Sequence, residues 1–296
     1  MKPSIQTVLR LLTVLLALTI ALVRVEAAAP WPFFVFDNGL RGEKLRTVEA
    51  QLDLVKSVGF DGLSWRTDAP ARMRQVLAGA AQRGLAVHVV YVNLDLRDGK
   101  LVQDPRLPEI IAACRGTGAM IWPNITSKQF KISDPAGDAI AVPGLRELAD
   151  ACAAHGLRVA LYPHVNMWLH RIEDALRLVR QVDRPNVGVT FNLCHALMDN
   201  AEERIPALLE AAAPHLYVVT INGAEGRPAK PDAANAIKLL GQGSYDVGAV
   251  LAKLRAIGFT GPVGLQCFNL KGDPPQLLTD AMAAWRRLTA ARESSL

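Results

Sequence analysis

Half of the 296 residues are hydrophobic and 21% are charged, which excludes a disordered chain and is enough for one large core in a single domain. The formal net charge is +5 with no basic block, so the charge balance gives no support to a nucleic-acid-binding role. Four cysteines, Cys114, Cys152, Cys194 and Cys267, match no zinc ribbon, finger or CxxC spacing.

Residues 1–27 read as an export signal. Lys2 and Arg10 supply a positive start, Leu11 to Val23 is apolar, and Val25-Glu26-Ala27 ends in a small-residue cleavage pattern, with cutting expected after Ala27 or Ala29. The apolar run is shorter than the roughly 20 residues a spanning helix needs. An uncleaved anchor is the alternative, because Arg24 interrupts the junction. Cleavage removes Lys2, Arg10 and Arg24 together with Glu26, which lowers the net charge from +5 to +3. The mature chain is then periplasmic or secreted, with no stable membrane span. In that compartment Cys114 and Cys152, on neighbouring predicted helices, are the pair to check for a disulfide; four buried thiols are the simpler reading, since a core this size needs no staple.

From residue 30 to 291 the chain alternates short apolar strands with amphipathic helices. Strands are predicted at Phe33–Phe36, Asp61–Trp65, Val87–Val92, Ala119–Trp122, Arg158–Pro163, Val187–Phe191, Leu216–Ile221 and Val263–Cys267. Helices follow at Thr47–Ser57, Arg72–Arg83, Leu107–Arg115, Gly144–Ala154, Ile172–Val182, Glu203–Ala212, Val247–Ile257 and Gln276–Leu288. Gly59, Gly84, Gly156 and Gly258 sit where left-handed helix caps belong. Eight βα units in about 270 residues predict an α/β fold, a single closed (β/α)8 TIM barrel, followed by a loose tail at 292–296. A doubly wound open sheet is the runner-up, but FDNGLRGEK after the first strand lacks the GxGxxG phosphate turn.

Barrel enzymes carry their chemistry at the C-terminal ends of the strands. The long connections Thr126–Val142 and Gly223–Asp246 lie on that side and read as lids or binding loops. Alternation along each strand brings Tyr162 and His164 to one face, and likewise Thr190 with Asn192, Thr220 with Asn222, and Gln266 with Phe268. Earlier strands add Asn38, Trp65, Arg66, Tyr91, Asn93, Asp95, Trp122 and Asn124. Such an amide-rich, aromatic mouth suits a small polyhydroxylated ligand, a carbohydrate. Carboxylates are what this mouth lacks: strands five to eight end in Tyr162, Asn192, Thr220 and Gln266, none an anion at neutral pH. No metal or other cofactor is therefore predicted. Mn, Mg or Zn is the alternative, through His164, His195 and Cys194 for a softer ion.

Five motifs carry a resemblance: LYPH (Leu161–His164), RPNVGVTFNLCHAL (Arg184–Leu197), VVTINGA (Val218–Ala224), GQGSYDV (Gly241–Val247) and FTGPVGLQC (Phe259–Cys267). Together with the strand order they resemble the xylose isomerase-like TIM-barrel superfamily of sugar phosphate isomerases/epimerases, inosose dehydratases and endonuclease IV. The resemblance implies a site in which four strand ends supply Glu, Asp, His and Glu to one divalent metal, the two glutamates also shuttling the proton. By motif those positions are Tyr162, Asn192, Thr220 and Gln266, and all four depart from the pattern. His195, in the DxxH-like NLCH, matches and implies a substrate-contacting histidine. Asn for Asp and Gln for Glu keep shape and remove charge, as a metal-free buried pocket requires.

Three readings follow. The first is an exported sugar isomerase or epimerase working without the usual metal. His164 or His195 would be the base, and Tyr162, Lys271 or Arg66 would stabilise oxyanion charge. The second is a retired barrel serving as a sugar-binding module, with Trp65, Trp122 and Trp168 as stacking platforms. The third, a DNA-repair nuclease, needs a three-zinc cluster that the sequence does not supply, and export would part it from DNA.

Overall fold

The computed structural model describes residues 31–290; the expected export signal at 1–27 and the expected tail at 292–296 lie outside them. Eight parallel strands close into a barrel: β1 (Phe33–Val35), β2 (Gly62–Arg66), β3 (Ala86–Arg97), β5 (Met120–Ser127), β6 (Arg158–Leu161), β7 (Val187–Asn192), β8 (Leu216–Ile221) and β9 (Val263–Leu265). Each pairs with the next, and β9 returns to β1 to close the ring. Both faces of such strands are buried, which is why they read as apolar runs. The outward residues pack under a shell of helices, principally α1 (Val48–Val58), α2 (Pro70–Gln82), α3 (Leu107–Ala113), α4 (Asp138–Ala153), α5 (Ile172–Val182), α7 (Ile205–Ala212), α9 (Val247–Ala256) and α10 (Pro274–Ala290). The inward residues Phe34, Phe36, Val89, Met120, Trp122, Ala160, Tyr162 and Val218 form a second core that fills the barrel. Gly264 makes room for it: a Cβ there would lie 2.4 Å from the Phe34 ring.

The four predicted cap glycines all adopt positive φ, between 65° and 95°. Other expectations need correction. There are nine strands among the described residues, because β3 runs on to Arg97 and turns back as β4 (Lys100–Val102), antiparallel to it. The turn is Asp98-Gly99, both at positive φ, the geometry a two-residue hairpin demands. The segment after the fourth barrel strand is no open loop from Thr126. β5 reaches Ser127, and α4 starts at Asp138, carrying Pro143 inside it. Gly144 lies within that helix because Leu101 of the hairpin packs on it; a Cβ would meet the Leu101 Cβ at 2.5 Å. The chain after β7 enters a six-residue helix, α6 (Leu193–Met198), not among the predicted helices. The Gly223–Asp246 segment folds back on itself through a bridge between Gly223 and Lys238 and a short helix, α8 (Ala233–Ala236). All four cysteines are buried free thiols. No helix of the described residues is long and apolar enough to cross a membrane.

Candidate active site

β6 ends at Leu161, but the Tyr162 N–H still donates to Pro123 O (2.8 Å), so the ladder holds Tyr162 at the rim with its ring turned inward. That ring caps the inner core, 4.2 Å from the Trp122 ring and 5.4 Å from Tyr91. Its phenol oxygen accepts from Asn192 Nδ2 (2.7 Å), which leaves its own proton for His195 Nε2, 3.3 Å away. Asn192 is held in turn by the Cys194 thiol, which donates to Oδ1 (3.0 Å). His164 lies against His195 with ring centroids 4.0 Å apart. His164 Nδ1 donates to Val165 O (2.8 Å), so in the neutral ring Nε2 carries the free lone pair. Burial holds both histidines below the ordinary imidazole range and pushes the Tyr162 phenol well above its own. The three groups are therefore a neutral acid and two neutral bases at pH 7.

Across the mouth the lining is amide. Gln266 Oε1 accepts from Asn38 Nδ2 (3.0 Å) and from the Phe268 N–H (2.9 Å). Asn222 Nδ2 donates to Gly223 O and Ala236 O, tying the folded-back segment to β8. Asn124 Nδ2 donates to the exposed Asn93 (2.8 Å). In each case the remaining acceptor is buried without a partner among the described residues: Asn38 Oδ1, Asn124 Oδ1, Asn222 Oδ1, and with them Thr220 Oγ1. A native fold seldom leaves several such atoms together unless a ligand or solvent completes them.

Several predicted roles change. Trp65 faces the helix shell, not the mouth, and is buried in the outer core; Trp168 is buried there too, its indole donating to Asp134 O (2.9 Å). Trp122 lies in the barrel interior beneath Tyr162, fully buried. None of the three offers a face to a sugar. Lys271 is exposed, and its ammonium reaches only Asn269 (3.0 Å), so no contact brings it to the histidines. The exposed Phe268 stands at the rim. The mouth does hold a carboxylate: Asp37, beyond β1, pairs with Arg66 at the end of β2. Burial raises the Asp37 carboxyl above its ordinary range, while Arg66 and Arg41 act against the rise. Burial, with Asp37 nearby, also pushes the Tyr91 phenol up to about 12. Arg66 is thus spoken for by Asp37, and Asp95 is bonded by Thr126 (3.2 Å). Sequence reading passed over Asp37, one residue before Asn38, and also His170 and Asp199, which bond each other at 3.0 Å beside His195.

The four positions that bind metal in the resembled superfamily do not fit one here. A hard divalent ion wants several anionic oxygens. The donors present are a phenol, a hydroxyl and two amide oxygens that already accept hydrogen bonds. Among the described residues no three His, Cys, Asp or Glu side chains are grouped as a metal site would need.

A closed (β/α)8 barrel with a polar mouth at the C-terminal ends of its strands defines the general class of barrel enzymes. The family model of the xylose isomerase-like TIM barrel matches residues 52–288, and the chain belongs to that family. A 3-dehydroshikimate dehydratase of Pseudomonas aeruginosa is 31% identical over 246 residues, 75% of this chain and 36% of the relative. The chain thus spans about a third of the length of that dehydratase. A ketose 3-epimerase of Arthrobacter globiformis is 25% identical over 86% of each chain. Among solved structures, an L-ribulose 3-epimerase superposes with TM-score 0.69 at 16% identity, covering 90% of this chain and 98% of that one. The E. coli 3-keto-D-glucoside 4-epimerase gives TM-score 0.65 at 20% identity, covering 87% and 99%. The relatives are isomerases, epimerases and dehydratases, which supports an enzyme in general.

Proposed function

We propose that the chain is an exported carbohydrate enzyme that removes a proton next to a carbonyl in a sugar or keto-sugar, without a divalent metal. The product would arise by isomerisation, epimerisation or elimination. Export rests on the pattern of residues 2–29 alone. The observation that carries the chemistry is the row formed by His164, His195, Tyr162 and Asn192 at the barrel mouth. His164 Nε2 is a neutral acceptor with no internal partner, the form a general base must have. Tyr162 is a neutral donor whose proton is shared with His195, suited to a developing enolate oxygen. The unpartnered acceptors of Asn38, Asn124, Thr220 and Asn222 would take hydroxyl donors of the substrate. The sugar-binding module loses its stacking platforms, since Trp65, Trp122 and Trp168 are buried.

The test is turnover, followed by NMR, of L-ribulose, D-allulose, a 3-keto-D-glucoside and 3-dehydroshikimate by the purified chain, with and without EDTA. Turnover of at least one that EDTA leaves unchanged is the expected result. Stoichiometric Mn or Zn among Tyr162, Asn192, Thr220 and Gln266 would overturn the metal-free reading. Calorimetric binding with no turnover of any of them would overturn the enzyme.

A further inference from the structure

Beside His195 the structure holds a cavity of about 20 Å3 between the start of α5, β7 and α6. Its apolar lining comes from Pro163, Ile172, Phe191 and Leu208, and its polar lining from Arg171, Glu173, Thr190 and Asn192 together with His195, His170 and Asp199. A site of that size holds about one water, provided polar partners are at hand. His195 Nδ1 is such a partner: it is buried and bonded to nothing among the described residues. Since Tyr162 has a proton for Nε2, the neutral ring carries its own proton on Nδ1. His170 is fixed in the opposite tautomer. Its Nδ1 accepts the Asn166 N–H (2.9 Å), so Nε2–H donates to Asp199 Oδ1. Exposure rises outward, from buried His195 to the side chains of His170 at 11% and Asp199 at 21%.

We propose that this cavity is a proton exit: His195 exchanges its Nδ1 proton with solvent through one cavity water and the Asp199–His170 pair, not through the sugar-binding mouth. Asp199 and His170 are positioning residues that act through His195, since their own bonds run to Asn166 and to each other. The idea rests on the acid–base reading of His195 above, and it deepens that reading. With a proton path of its own, His195 can reset between turnovers while a bound sugar seals the mouth.

The test needs no substrate. In the 15N-labelled full chain, His195 imidazole signals are assigned by their loss in His195→Gln. Wild type is expected to show the Nδ1–H tautomer, with that proton exchanging rapidly into D2O. Asp199→Asn removes the charged acceptor, and Ala196→Val narrows the cavity without touching the pair. Each is expected to slow Nδ1–H exchange at least tenfold, with the fold checked by circular dichroism. Exchange within twofold of wild type in both variants, or a wild-type Nε2–H tautomer, overturns the proton exit. Unchanged turnover in His195→Gln is a separate failure: it overturns the acid–base reading of the mouth and leaves the exchange rates standing.

Discussion

The two sides of the barrel mouth are built from different chemistry. On the β6–β7 side every group that can move a proton is coupled to another: Asn192 to Tyr162, Tyr162 to His195, His195 to His164. On the β8–β9–β1 side the amides of Gln266, Asn38 and Asn222 hold the rim while leaving acceptors over. The first side is linked from group to group and is poised for transfer. The second is incomplete on its own and is suited to hold hydroxyls. A barrel can divide labour in this way because each strand end contributes its side chains independently of the others.

The comparison breaks first at the histidines. His164→Gln keeps a polar side chain but has no base, and turnover of the responsive sugar should fall 10²- to 10⁴-fold, about 3–5 kcal/mol, with little change in KM. If the amide side alone did the work, kcat would be unmoved and only KM would rise. Acid gives the next largest effect. Burial holds His88, inside the barrel beside Phe34, down to about 4, and lowers His164 and His195 as well. The unfolded chain takes up these protons below about pH 6.5 and the folded chain does not, so stability is intact above pH 6.5. It falls as the pH drops toward 4, by up to about 3 kcal/mol for His88 alone. Urea midpoints measured at pH 7.5 and 4.5 check the sign. A midpoint that rises on acidification would show these rings to be charged in the folded state.

How far the sequence discloses this division depends on the range of the interaction. The barrel is legible because strand alternation and the glycines at 59, 84, 156 and 258 are local signals. The β3–β4 hairpin carries a signal in Asp98-Gly99, but the shorter apolar strand hides it. Pro143-Gly144 resembles a helix boundary until Leu101 is seen to need the space over Gly144. Within the site, Tyr162, His164, Asn192 and His195 can be placed from two short motifs. Trp65 misleads, because alternation says two residues share a face without saying which face is inside. Asp37 with Arg66, and His170 with Asp199, are about 29 residues apart in each pair, and only the closed barrel brings them together.

The finest test lies on the amide side. Thr220 Oγ1 is fully buried at the end of β8 and has no partner among the described residues. Val has nearly the same shape without the hydroxyl, so Thr220→Val relieves an unpaired polar group instead of breaking a bond. If Thr220 serves only the fold, the variant differs from wild type in stability alone. If the hydroxyl awaits a sugar, the thermal midpoint stays level or rises while KM increases about five- to tenfold, roughly 1–1.4 kcal/mol, with kcat nearly unchanged. A rise in stability paired with a loss in KM would separate binding from catalysis across the mouth. A fall in kcat equal to that of His164→Gln would show that the two sides work as one unit.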